Sequence, residues 1–98
     1  MEINMNKEGS KLTAKVSGRL DTMTAPQLEK ELKPNYEGIS NLVFDISDLE
    51  YISSAGLRVL LSAQKVMNKQ GIMTVTGVSD AIMEIFDVTG FSDLLTIE

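Results

Sequence analysis

Phe44-Asp45-Ile46-Ser47-Asp48-Leu49-Glu50-Tyr51-Ile52-Ser53-Ser54-Ala55-Gly56-Leu57 is the stretch on which the fold turns. It opens inside Leu42-Val43-Phe44-Asp45-Ile46, a short and nearly continuous apolar run of the kind found in strands buried on both faces. An acidic loop carrying Asp48 and Glu50 follows. The spacing then predicts a helix over Ser54–Gln70, with Arg58, Ser62, Lys65 and Lys69 on one side and Leu57, Leu60, Leu61, Ala63, Val66 and Met67 on the others. Gly71 stands where a C′ glycine would close such a helix. A second strand read as buried, Ile72–Thr76, makes a strand-helix-strand unit whose strands must be parallel and whose crossover must be right-handed.

Toward the N-terminus, Lys11–Leu20 alternates with period two: Leu12, Ala14, Val16 and Leu20 face one way and Thr13, Lys15, Ser17 and Arg19 the other. Ile3 and Met5 alternate likewise, and Asn6-Lys7-Glu8-Gly9-Ser10 supplies turn residues, so the two segments form a hairpin at a sheet edge. Thr24-Ala25-Pro26-Gln27 has the form of a capping box with proline in the first turn; Ala25, Leu28 and Leu32 are the inward side of the helix it starts, and Pro34-Asn35 ends it. Beyond the second parallel strand, Ser79 caps a short helix with Ile82, Ile85 and Phe86 inward, and residues 94–97 read as a last strand. The expectation is a single α/β domain over residues 1–98. Its mixed sheet has about five strands, an N-terminal hairpin followed by parallel βαβ units, with helices packed on it.

Composition narrows the function. With 98 residues, 43% hydrophobic and 23% charged, the chain has room for one core and little spare stability, so apolar runs are packing before anything else. There is no Cys and no His, which removes disulfides, thiolate nucleophiles, a Ser/His/Asp triad and His-ligated zinc. The net charge of -5 at pH 7 disfavours direct binding to nucleic acid, which needs a basic stripe. No apolar stretch reaches the length of a membrane span, and the polar residues 1–10 are unlike a secretory leader, so the cytoplasm is the expected compartment.

The chemistry-bearing feature is the run of small residues Ser53-Ser54-Ala55-Gly56 at the helix start. With Ser53 as N-cap bonding a first-turn N–H, Ser54 at the first helical position points its oxygen outward, and short neighbours let another protein approach closely. An anion there meets free N–H groups and the positive end of the helix, and Arg58, one turn along, is placed to pair with it. On physics alone, a capped and tightly packed helix start accounts for the same residues.

The whole chain, and this turn most specifically, resembles the STAS domain of the bacterial anti-sigma factor antagonist family. That family carries Asp-Ser-Ser/Thr-Gly-Leu-Gly where this chain has Ser53-Ser54-Ala55-Gly56-Leu57-Arg58. Ser53 stands in place of the Asp, Ala55 in place of the second Ser/Thr, and Arg58 in place of the second Gly. Gly18-Arg19-Leu20-Asp21 is similar to the family's Gly-Glu-Leu-Asp element. The resemblance implies Ser54 as a phosphorylation site, with Asp21, Thr22, Asp45, Ser53, Ala55, Gly56 and Arg58 as partner-binding residues. It implies an anti-sigma factor serine kinase and a serine phosphatase as partners. The unmodified chain would bind the kinase and free a sigma factor; no cofactor or metal and no enzymatic activity of its own is implied, and the chain is expected as a monomer or weak dimer. The alternative is an unphosphorylated STAS adaptor in a transporter or sensory complex.

Other readings lack companions. Asp45 at a strand end is where a response-regulator receiver accepts phosphate, but the acidic pair and the lysine of a receiver are not in place. Asp45, Asp48 and Glu50 do not form a Ca²⁺ loop, and Gly71, Gly77 and Gly90 form no phosphate-binding motif but punctuate elements. Ser54 as an enzymatic nucleophile would require Lys, Asp or Glu as its base. The six methionines are spaced as core filler, with Met23 or Met83 available to enlarge an interface.

Overall fold

The computed structural model describes residues 1–98. The alternating segments form an antiparallel hairpin of β1 (Glu2–Glu8) and β2 (Lys11–Leu20), in register from Glu2 opposite Ser17 to Glu8 opposite Lys11. The chain continues through α1 (Ala25–Leu32), β3 (Asn41–Asp45), β4 (Leu49–Ile52), α2 (Ser54–Gln70), β5 (Ile72–Thr76) and α3 (Asp80–Thr89), with short 3₁₀ turns at Lys33–Asn35 and Phe91–Asp93. The sheet is five-stranded and mixed, in the order β1-β2-β3-β5, with β4 attached to β2.

The long strand β2 serves three neighbours. Its first half runs parallel to β3, from Lys11 opposite Asn41 to Lys15 opposite Asp45, and its last residues run parallel to β4, where the register shifts between Gly18 and Arg19. Ladder partners share a face of the sheet, so Leu12, Leu42 and Met73 form one buried row and Ala14, Phe44 and Val75 the next. Leu28 and Leu32 of α1, Leu60, Ala63 and Met67 of α2, and Ile82 and Phe86 of α3 complete the same core.

Four expectations are corrected. First, β3 and β5 alternate instead of being buried on both faces, because Val43 and Asp45, and Ile72, Thr74 and Thr76, lie on the face the core does not cover. Second, residues 49–52, read as loop, are a strand: Leu49 and Ile52 are buried while Glu50 and Tyr51 are exposed. Third, residues 94–97 make only a single parallel bridge, Ile97 to Val75, so β4 and not the chain end supplies the fifth strand. Fourth, Gly71 has φ 169°, extended backbone open to any residue; glycine is needed there because a Cβ would overlap the Ser40 carbonyl, which also accepts a 2.9 Å bond from Ile72 N–H.

Candidate functional site

The site is built where β2 and β4 end and α2 begins. Ser53 N–H donates to Leu20 O at 2.9 Å, joining the start of α2 to the end of β2, and Ser53 O accepts from Leu57 N–H at 2.9 Å as the first helical bond. Ser53 is the N-cap by backbone conformation, but its hydroxyl caps nothing. Its oxygen is buried without a partner, contrary to the expected side-chain cap. The N–H groups of Ser54, Ala55 and Gly56 therefore keep the unpaired state of any first helical turn. Ser54 itself is exposed.

Gly56 is buried, and a Cβ on it would lie 2.8 Å from Ile52 Cγ1 and Leu20 Cγ and 2.9 Å from Leu20 O. Its smallness lets α2 settle onto β2 and β4, so the part it plays in the structure is to bring the helix tip close to the sheet. Ala55 and Arg58 instead line an open groove of about 360 Å³ between α1 and α2, with Thr22, Ala25, Pro26, Glu29, Val59 and Ser62. Arg58 is exposed and makes no ion pair; the two ion pairs of the chain are Lys15 with Asp48 and Arg19 with Asp21.

Asp21 organises the approach to α1. Its Oδ1 accepts from Met23 N–H at 3.0 Å and Thr24 N–H at 3.2 Å, and its carbonyl accepts from Ala25 N–H at 2.8 Å. The expected Thr24 capping box is absent because the Thr24 hydroxyl is engaged backward, donating to Arg19 O at 2.8 Å and accepting from Asp21 N–H at 2.9 Å. Partial desolvation opposes ionisation of Asp21, but the Thr24 and Met23 N–H groups, the Thr24 hydroxyl and the Arg19 guanidinium outweigh it and hold the carboxyl below the usual carboxylate value. Asp21 is thus a charged turn-former with only Oδ2 turned outward, 3.8 Å from Arg19 Nε.

Asp45 stands apart from this group. It belongs to the opposite face of the sheet, level with Lys15 and Thr76, and accepts from Ser47 N–H at 3.0 Å. The Ser47 N–H and hydroxyl, aided by Lys15 and opposed by slight desolvation, lower its carboxyl below the usual value. No group of three or more acidic residues gathers as a cation site. Ser53, Ser54, Ala55, Arg58, Thr22 and Asp21 come together; Asp45 does not join them, and Gly56 lies underneath.

Two features of the same end escaped the sequence. The Arg19 guanidinium stacks over the Tyr51 ring at 4.4 Å from its centroid, and Met23 is 86% exposed on the turn beside it. Arg and aromatic side chains so placed are the residue types that dominate protein interfaces. Alternation in β2 gave Arg19 its outward direction, but with residues 49–52 read as loop nothing set Tyr51 across from it.

A mixed sheet backed by three helices, with an exposed serine at one helix tip, defines a small α/β domain. Residues 2–98 match the family model described as STAS domain. BtrV of Bordetella bronchiseptica, assigned by its name to the anti-sigma factor antagonists, is 34% identical over 99 residues, covering 99% of this chain and 85% of BtrV. The anti-sigma-B factor antagonist of Staphylococcus epidermidis is 34% identical over 85 residues, 85% of this chain and 79% of that protein. The anti-sigma factor antagonist SpoIIAA, solved in its unphosphorylated form, shares the fold with a TM-score of 0.79 at 12% identity, covering 99% of this chain and 87% of the solved one. The phosphorylated form, described as a Bacillus cell fate determinant, matches with a TM-score of 0.78 at 12% identity, covering 99% of this chain and 91% of that one. This chain belongs to the STAS domain family, the family of these antagonists. No helix in it is long and apolar enough to cross a membrane.

Proposed function

We propose that the chain is a cytoplasmic anti-sigma factor antagonist whose binding is controlled by phosphorylation of Ser54. Unmodified, it docks the α2 tip and the turn at Asp21 and Thr22 onto an anti-sigma factor that is also a serine kinase, and a sigma factor is released. The kinase moves the γ-phosphoryl group of ATP to Ser54. The Oγ–P bond forms, the bond from the γ-phosphorus to the β,γ-bridging oxygen breaks, ADP departs and the hydroxyl proton passes to a kinase base. A serine phosphatase resets the chain by hydrolysis, returning the hydroxyl and inorganic phosphate. The chain itself works as a monomer or weak dimer, without a cofactor, without contacting nucleic acid and without catalysing a reaction.

The observation that carries this reading is the exposure of Ser54 at the first position of α2, before unpaired N–H groups, in a chain aligned over most of its length with named antagonists. A phosphate there adds about -1.5 to -2 charge without entering the core, and misplaced like charges cost several kcal/mol at an interface. Switching a population from 1:99 to 99:1 requires about 5.5 kcal/mol, which is the same scale. Incubation with the cognate kinase and ATP, read by intact mass, is the test. One added phosphate on the native chain and none on Ser54→Ala is expected; an unmodified native chain sinks the switch and leaves the adaptor.

A further inference from the structure

Arg58 is the one groove-lining cation of the site, exposed, without an ion-pair partner, and on the same helix four residues after the exposed Ser54. Residues at i and i+4 of a helix are neighbours, with Cβ atoms roughly 5–6 Å apart, within reach of an arginine. Nothing in the native contacts holds the guanidinium where it is: Glu29 lines the same groove across from it without pairing, and Asp21 is occupied by its own turn and Arg19.

We infer that Arg58 has two positions, and that phosphorylation moves it from one to the other. In the unmodified chain the guanidinium stands free at the groove mouth and is available to a carboxylate of the docking partner. A phosphate on Ser54, itself proposed above, presents three acceptor oxygens and nearly two charges one helical turn away, and the guanidinium pairs with it through two parallel N–H donors. The pairing makes no covalent bond. It takes away the cation that the partner reads and folds the side chain back over the helix tip, so the modification both adds an anion and removes a contact. Glu29, a single carboxylate on a separate helix, does not compete with a doubly charged group on the arginine's own helix. Arg58 is then a positioning and specificity residue of the switch, where the family pattern has glycine.

The test does not need the kinase. Phosphoserine is encoded at position 54 in the native chain, in Arg58→Gln and in Arg58→Lys, and the folded state of each is confirmed by circular dichroism. The second ionisation of the phosphate, about pH 6 when free, is followed by ³¹P resonance, together with the Arg58 Nε–H signal. The charged residues around the tip, Arg19, Asp21 and Glu29, are the same in all three chains. Expected are a phosphate ionisation about 0.5 unit or more lower in the native chain than in Arg58→Gln, an intermediate value in Arg58→Lys, and a shifted, salt-sensitive Arg58 signal on phosphorylation. Identical phosphate titrations in the native chain and Arg58→Gln overturn the inference. Failure of any kinase to modify Ser54 overturns the proposed switch instead, and leaves this measurement standing.

Discussion

A methyl group on Gly56 has nowhere to go: Ile52 Cγ1, Leu20 Cγ and Leu20 O all lie within 2.9 Å of it. Gly56→Ala should cost about 1–3 kcal/mol in urea unfolding, the range for overpacking a close-packed site. Ser54→Ala, two residues earlier and exposed, should change stability by less than about 0.5 kcal/mol while removing the proposed phosphate acceptor. Asp21 is held below its ordinary value of 3.8, so near that pH the unfolded chain binds the proton more readily than the native one. Its contribution is complete above the ordinary value and is lost as pH falls through the native value. Asp21→Asn should therefore flatten the fall of stability between about pH 5 and pH 3, read by urea titrations across that range. The capping errors also arise at this scale. Thr24-Ala25-Pro26-Gln27 and Ser53 both have cap chemistry, but a sequence does not reveal that Asp21 takes the Thr24 N–H, that the Thr24 hydroxyl turns back to Arg19 O and Asp21 N–H, or that the Ser53 hydroxyl points into packed surroundings.

The elements that were legible are those whose burial follows a simple period. The bounds of β2 and α2 agree with the pattern residue for residue, since Leu12, Ala14 and Val16 alternate into the core and Leu60, Ala63 and Met67 return at helical spacing. The strand β4 was illegible because its four residues are buried, exposed, exposed and buried, and because it pairs where the β2 register shifts. The tail after Gly90 misleads for the opposite reason. Leu94 is apolar but 52% exposed, and only Ile97 bridges β5. The cap of α3 follows its sequence signal: Ser79 Oγ accepts from Ile82 N–H at 3.3 Å. Ser79→Ala should cost about 1 kcal/mol, measured as a lowered denaturant midpoint at unchanged slope.

One core serves the entire molecule, and Phe44 and Phe86 are its largest fully buried side chains. Phe44→Ala should remove about 3–5 kcal/mol, a large share of the roughly 5–15 kcal/mol available to a small domain. A strongly shifted melting curve, or a chain unfolded at 37 °C, is the expected readout. The far end of α2 is pinned to the same scaffold. Gln70 Nε2 donates to Tyr36 O and Ile39 O at 2.6 Å each, and Gly71 lies against Ser40. Ser54 is consequently mounted on a post anchored at its base rather than strung along a pliable segment. Under the proposed switch, the kinase that modifies it must read a sculpted relief, and a short synthetic fragment spanning residues 50–60, which keeps the letters and loses the relief, should be a far poorer acceptor than the intact chain.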